Sequence, residues 1–268
     1  MTKKQRTIRK SISFSGIGLH TGQQTTMTLH PAEANHGYKF QRSDLPDSPI
    51  IAANVDHVVS TQRGTTLEQN GAQVNTTEHI LAALYGCEVD NAMIELTGPE
   101  IPIMDGSSIE FVEALETAGY QDQEANRKYF KLNSNVWYED KEKGVEMLAV
   151  PEPQDEFRIT VMVDYRSPIL GTQHASMYKI SEFKDEIARS RTFVFLREVK
   201  HLANEGLIKG GDLNNAVVLI ERIYSDEELH SIAQLLGKED LKSRGDVPGV
   251  LNTSPLRYQN EPARHKLL

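Results

Sequence analysis

The sequence predicts an α+β protein built in two halves. Three observations carry this. Apolar residues first alternate, as in half-buried strands, then recur three and four apart, as in helices, and that order appears twice. A polar stretch, QDQEANRK (121–128), separates the two occurrences. Finally, 38% of the 268 residues are apolar, enough to bury a core in two domains of ordinary size. The boundary falls at 125/126, giving an N-terminal α+β domain of residues 1–125 and a C-terminal one of residues 126–268. The halves share no sequence repeat, so any duplication is one of shape.

In the first half, Ile8, Ile12 and Phe14 fall on one side of an alternating segment, and Thr25, Met27 and Leu29 on one side of the next. Between them lies GIGLHTG (16–22), a glycine-rich connection. TTLEQNGAQVN reads as a hairpin, with Asn70-Gly71 suited to a type I′ turn because both positions need φ > 0. A helix starts at Thr76 or Thr77 and runs to Gly86, read as its C′ glycine, with Ile80, Leu81 and Leu84 as the apolar stripe. After a short strand, NAMIELTG, a second helix opens with a capping box of Ser107 and Glu110. It buries Phe111, Val112, Leu115 and Ala118 and stops at Gly119.

Past the polar stretch, strands are expected around 130–138, 145–150 and 157–163. Ser181 reads as a cap for EFKDEIARS, and Leu196, Val199 and Leu202 mark a further helix. Ser225 and Glu228 form a second capping box ahead of LHSIAQLLG. Residues 237–255 are polar and turn-rich, a surface loop.

The net charge is −9, and no Lys or Arg occurs from 64 to 126. Such a protein releases few counterions from a nucleic acid, which excludes that class of partner. Arg264 and Lys266 remain available to a small phosphate-bearing ligand. No apolar run approaches the ~20 residues that span a bilayer, and the basic start leads into SISFSG, not into an apolar signal core. The single cysteine, Cys87, excludes intramolecular disulfides and sits past a helix C-terminus, where the dipole disfavours a thiolate; it reads as structural. The expected compartment is the cytoplasm, and nothing in the sequence fixes an oligomeric partner.

Chemistry enters at NTTEHILAAL. Glu78 and His79 at a helix start pair a carboxylate that accepts a proton from water with an imidazole that binds Zn²⁺. The same pair also reads as a first-turn acid beside a partly buried polar residue. At NEPARHKLL, Pro262 suits a first helical turn, placing His265 on a helix, one histidine without a local partner. A helix of one turn does not sustain itself in water, so His265 is expected to be mobile. In ARSRTF, Thr192 carries a hydroxyl suited to donating to an oxyanion or to capping a turn. Ser-His-Asp, Walker and dinucleotide signatures are absent, and GIGLHTG has a phosphate cradle's glycine content with the wrong spacing.

Taken in order, GIGLHTG, NTTEHILAAL, PEIPIMDGSS, ARSRTF and EPARHKLL resemble the UDP-3-O-acyl-N-acetylglucosamine deacetylases, zinc hydrolases of lipid A synthesis. The resemblance covers essentially the whole chain. It implies two domains of similar topology, each a sheet layered with helices, with the active site between them. It implies Glu78 as general base, His79 and His265 as two of three zinc ligands, and Thr192 as the oxyanion donor. Lys266 meets substrate charge, and His20 lies near the site. The span 193–220 corresponds to an insert that walls an apolar passage for the acyl chain, with Phe193, Ile208, Ala216 and Val218 as wall residues.

The third ligand, an aspartate in H-K-x-x-D, would follow Leu268, and the general-acid histidine lies further on. The chain is therefore expected to be a C-terminally truncated piece, itself inactive, and similar to the branch fused to a 3-hydroxyacyl-carrier-protein dehydratase. The alternatives are a non-catalytic ligand-binding fragment of such a bifunctional protein, or another zinc amidohydrolase. Substrate affinity and chain-length preference are expected to follow the passage, at ~0.8 kcal/mol per buried CH₂.

Overall fold

The computed structural model describes residues 3–154, 156–235, 249–251 and 255–268, and the chain is a mixed α and β protein with several sheets and few helices. Its first half runs β1 (Lys4–Ile8), β2 (Ile12–Ile17), β3 (Gln24–Pro31), β4 (Tyr38–Arg42), β5 (Ile50–Ala52), β6 (Val58–Ser60), β7 (Thr66–Gln69), β8 (Ala72–Val74), α1 (Glu78–Gly86), β9 (Ala92–Leu96), α2 (Ile109–Ala118) and β10 (Tyr120–Asn126). The main sheet has the order β2-β3-β9-β4-β5, antiparallel except for β4 against β9. Alternation in β3 turns Thr25, Met27 and Leu29 inward, all fully buried, as the sequence predicts. Ile8, Ile12 and Phe14 do not share one strand: β1 leaves the sheet to pair with β10, and β2 starts afresh at Ile12. The polar stretch at 121–128 is mostly that partner strand, its polar residues satisfied along an exposed ladder with β1.

The hairpin β7–β8 turns at Asn70 (φ 55°) and Gly71 (φ 73°), the two positive φ values its type requires. Helices α1 and α2 cover the sheet. Ile80, Leu84, Phe111 and Leu115 are fully buried, each contributing about 1.5–3 kcal/mol, so packing rather than propensity sustains these short helices. In α1 the stripe includes Ala83, with Leu81 half-buried.

Two expected helix signals have other roles. Gly86 is the last helical residue, not a left-handed C′; a Cβ there would lie 2.1 Å from the Phe183 ring, so close packing is what selects glycine. Ser107 makes no capping box with Glu110, because the N-cap position falls one residue later, at Ser108, and the Ser107 hydroxyl donates to Asp105 Oδ1 at 2.7 Å. Gly119, at φ 72°, ends α2 as expected.

The second half runs β11 (Val136–Asp140), β12 (Val145–Ala149), β13 (Ile159–Asp164), β14 (Thr172–Met177), β15 (Phe193–Phe195), α3 (Leu196–Asn204), β16 (Val217–Leu219), α4 (Asp226–Leu235) and α5 (Glu261–His265). Among the described residues its strands form two-stranded sheets, β11–β12, β13–β14 and β15–β16. The last is parallel, crossed over by α3, whose Leu196, Val199 and Leu202 are buried. Ser181 lies inside a 3₁₀ turn (Ile180–Glu182) that leads into a π-helical turn (Phe183–Ile187), and caps neither. Ser225 and Glu228 do form their capping box, Ser225 N to Glu228 Oε2 at 2.9 Å and Glu228 N to Ser225 Oγ at 3.3 Å.

Most of the expected loop at 237–255 lies outside the described residues. Its described part is not all surface, since Val250 bridges Leu219 and is buried with Leu251. One apolar cluster runs through the first half and continues into Ala175, Met177, Phe183, Ile187, Ala263 and Leu267. Among the described residues no helix is long and apolar enough to cross a membrane.

Candidate active site

His79 and His265 come from opposite halves of the described chain and meet ring to ring, centroids 5.3 Å apart at 48°. His79 is in the first turn of α1 and only 3% exposed; its Nδ1 is buried without a hydrogen-bond partner. His265 faces the Ser190 carbonyl through Nδ1 at 3.1 Å. A carbonyl only accepts, so Nδ1 carries the proton and Nε2 keeps its lone pair. Burial lowers the pKa of His79, and burial together with the neighbouring His79 pushes His265 down to about 3. Both imidazoles are therefore neutral at pH 7, the form that binds a metal.

The one-turn helix α5 does not rest on its own propensity. Glu261, fully buried, accepts from Arg191 N at 3.0 Å, Arg191 Nε at 2.9 Å, Arg191 Nη2 at 3.2 Å and Arg257 N at 2.7 Å. Ala263 and Leu267 pack into the main core. The motif ARSRTF thus anchors the helix carrying His265. The chain end that sequence reasoning expects to be mobile is docked by contacts that no local pattern reveals.

Glu78 is half-buried beside His79, its Oε2 accepting from Thr65 N at 2.9 Å. His20 donates through Nε2 to the Arg63 carbonyl at 3.2 Å, and its Nδ1 is buried and unpartnered. Glu78, Thr76 and His20 converge on Gly64, where an added Cβ would lie 3.3 Å from Glu78 Oε1 and 3.7 Å from His20 Nε2. Lys266 extends to 5.3 Å from the centre of the Phe193 ring, its pKa lowered by burial and by Arg63.

A cavity of about 80 Å³ opens beside these groups. Phe193, Ile208, Ala216 and Val218, the four expected wall residues, line it together with His20 and Thr192. It lies in the crossover unit β15–α3–β16, with Val199 and Leu202 of α3 on its other wall. Arg63, also lining it, pairs with Glu198 of α3 at 2.8 Å. Every expected site residue is thus either in the histidine pair, next to it, or on the wall of this cavity.

The profile of the LpxC family, UDP-3-O-acyl N-acetylglycosamine deacetylase, matches residues 5–233. The chain belongs to the LpxC family. It is 46% identical over 265 residues to the bifunctional enzyme LpxC/FabZ of Chlorobaculum tepidum, covering 98% of this chain and 56% of that protein. The corresponding Bacteroides thetaiotaomicron protein is 44% identical, covering 99% and 57%. The UDP-3-O-acyl-N-acetylglucosamine deacetylase of Geotalea uraniireducens is 36% identical, covering 98% and 76%. The chain therefore spans little more than half the length of the LpxC/FabZ relatives.

Two neutral imidazoles, one with an orphaned buried nitrogen, fit Zn²⁺ as donors. No group of three His, Cys, Asp or Glu suited to a metal occurs among the described residues. Cys87 does not join the site: it caps α1, half-buried, and burial raises its thiol pKa. Residues the sequence reading passed over are Arg63, Ser190, Arg191 and Glu261. The last three sit inside two of the five LpxC motifs, the one signal that pointed at them, since a lone charge in a sequence ordinarily reads as solvated surface.

Proposed function

We propose that the full-length protein hydrolyses the N-acetyl group of UDP-3-O-acyl-N-acetylglucosamine, the committing step of lipid A synthesis, as a zinc-dependent deacetylase in the cytoplasm. The observation that carries this is the meeting of His79 and His265 next to Glu78, with the His265 ring 6.3 Å from Phe193, which lines an apolar cavity together with Thr192. His79 and His265 would hold zinc, which when bound supplies Lewis acidity toward an amide carbonyl and a water molecule. Glu78 takes the proton of the attacking water. The Thr192 hydroxyl donates to the oxyanion that forms, a contact worth about 2.7–4 kcal/mol in comparable sites. Lys266 meets substrate charge. Phe193, Ile208, Ala216 and Val218 enclose the acyl chain, at ~0.8 kcal/mol per buried CH₂.

The site is read as lying between domains 1–125 and 126–268. The Chlorobaculum and Bacteroides relatives are named bifunctional LpxC/FabZ enzymes, which supports a second enzyme domain, read here as the dehydratase, on the same polypeptide. On this reading a polypeptide of residues 1–268 supplies His79 and His265 as two of three zinc ligands. We expect it to bind zinc weakly and to be inactive, a ligand-binding fragment. Acetate release from the UDP-acyl-sugar by the zinc-loaded full-length protein is the test. No release refutes the activity, and stoichiometric zinc with substantial activity in residues 1–268 refutes the ligand count.

A further inference from the structure

The glycine-rich motif GIGLHTG does cradle an anion, but the anion is internal. The side chain of Glu100 is fully buried, and both of its oxygens accept. His20 N donates to Oε1 at 2.9 Å and to Oε2 at 3.2 Å, and Thr21 N to Oε2 at 2.8 Å. The Thr21 hydroxyl reaches Oε2 at 2.7 Å, and the Thr76 hydroxyl reaches Oε1 at 2.7 Å. Gly18 is required by this arrangement, because a Cβ there would lie 2.3 Å from Glu100 Oε2.

The backbone around Glu100 is fixed on both sides. Gly18 bridges Pro102, and Ile103 N bonds Ile17 O at 2.9 Å. On the other side Glu100 bridges Asn75, and Ile101 N bonds Asn75 O at 3.2 Å. The segment 99–103 is thus a splint between the loop carrying His20 and the residues leading into α1.

Thr76 is the critical junction. It is β-branched yet sits at φ 58°, a region such residues avoid, and it is followed two and three residues later by Glu78 and His79. A conformation of that kind persists only where the surroundings over-determine it. The bond from its hydroxyl to Glu100 supplies the side-chain half of that constraint. The pairs Asn75 N to Pro99 O at 2.9 Å and Thr77 N to Thr65 O at 3.2 Å supply the backbone half.

We propose that Glu100 is a positioning residue for this site, setting the entry angle of α1, and with it the Glu78 carboxylate and the His79 ring, relative to His20. It acts through Thr76 and the His20–Thr21 amides and does not itself touch substrate. The inference rests on the deacetylase reading for its kinetic consequence, and on geometry alone for its structural one.

The test uses the full-length zinc-loaded protein and three variants, Glu100→Gln, Thr76→Val and Thr76→Ser, with rates expressed per bound zinc. Glu100→Gln keeps the volume but turns an NH₂ toward donors; Thr76→Val keeps the shape and loses the hydroxyl; Thr76→Ser restores it. Glu100→Gln and Thr76→Val are expected to lower kcat by about 10²-fold, the cost of a misplacement near 1 Å, with KM unchanged, and Thr76→Ser to stay near wild type. A merely structural role would lower the yield or the unfolding temperature and leave kcat per zinc intact, and that result overturns the proposal. So does a Thr76→Ser variant as impaired as Thr76→Val.

Should the wild type release no acetate, the functional reading fails, and the positioning role is then decided by NMR of the zinc-free protein. The His20 and Thr21 amide protons are expected to lie downfield and to move upfield in Glu100→Gln, with the Thr76 φ relaxing in Thr76→Val. Unmoved amides and an unmoved φ refute it.

Discussion

Replacing Glu261 by alanine removes the carboxylate that faces a buried guanidinium. The Arg191 side chain is 3% exposed and Glu261 not at all, and the carboxylate accepts the Nε and Nη2 bonds together with two backbone N–H groups. Removing the carboxylate of a buried ion pair costs about 3–5 kcal/mol, even though the Nη2 bond to the Pro255 carbonyl at 2.9 Å stays in place. At about 2–4 °C per kcal/mol for chains of this size, the midpoint should fall by roughly 6–20 °C. Glu261→Gln keeps the shape and one acceptor oxygen, while its amide opposes two donors, so about 1.5–3 kcal/mol is expected, the worth of hydrogen bonds to a charged group. Urea unfolding at pH 7, followed by far-UV circular dichroism, measures both. The double variant Arg191→Met with Glu261→Ala should recover part of the loss, since the buried charge is gone. Losses under about 1 kcal/mol for Glu261→Ala, the level of an ordinary surface substitution, would mean that water reaches Arg191 and that α5 is not anchored as described.

Glu78→Gln in the full-length protein should retain zinc and lose at least about nine-tenths of the turnover, because an amide accepts no proton at neutral pH; more residual acetate release contradicts the base assignment. Ile208→Trp or Ala216→Trp should weaken binding of the acylated substrate far more than binding of UDP, measured by calorimetry, since the indole fills the cavity; equal losses would make these residues ordinary core. Bidentate hydrogen bonds from Arg42 hold the Asp44 carboxyl below its ordinary 3.8. A depressed carboxyl contributes stability that is present above its unfolded pKa and lost as pH falls through the folded one, so Asp44→Asn should cost stability at pH 7 and little near pH 2; equal urea-unfolding losses at both refute it.

Local pattern revealed what local physics decides. The inward face of β3, the buried stripe of α2, the Asn70-Gly71 turn and the Ser225–Glu228 box each depend on residues within one turn or strand, and each formed. Failures came where a partner outside the expected pattern set the outcome. Gly86 looked like a helix stop because the Phe183 ring that demands a glycine lies almost a hundred residues on. Ser107 looked like a cap because Asp105, its actual partner, competes only once the loop is folded. The site was legible as five ordered motifs, not as geometry. Glu-His at a helix start and a lone histidine near the chain end each had a bland reading, and only the fold brings the two rings to 5.3 Å.

The two imidazoles share a design that the sequence hides. Each rides on the first or last turn of a helix of fewer than ten residues, α1 for His79 and α5 for His265. Helices this short have no intrinsic persistence, so the histidine positions must come from tertiary anchors. In both cases the anchor is a fully buried carboxylate satisfied by backbone amides and side-chain donors: Glu100 from a distant splint for α1, Glu261 from within the helix for α5. A buried carboxylate is a costly anchor and a precise one, because moving any of its donors by an ångström leaves a polar group unpaired in a dry interior. Apolar packing alone tolerates such shifts with repacking. A site whose two histidines come from segments this far apart gains most from anchors that tolerate none. Polar residues that look like solvated surface in the sequence are therefore, at these two positions, the parts of the structure that fix the geometry of the histidine pair.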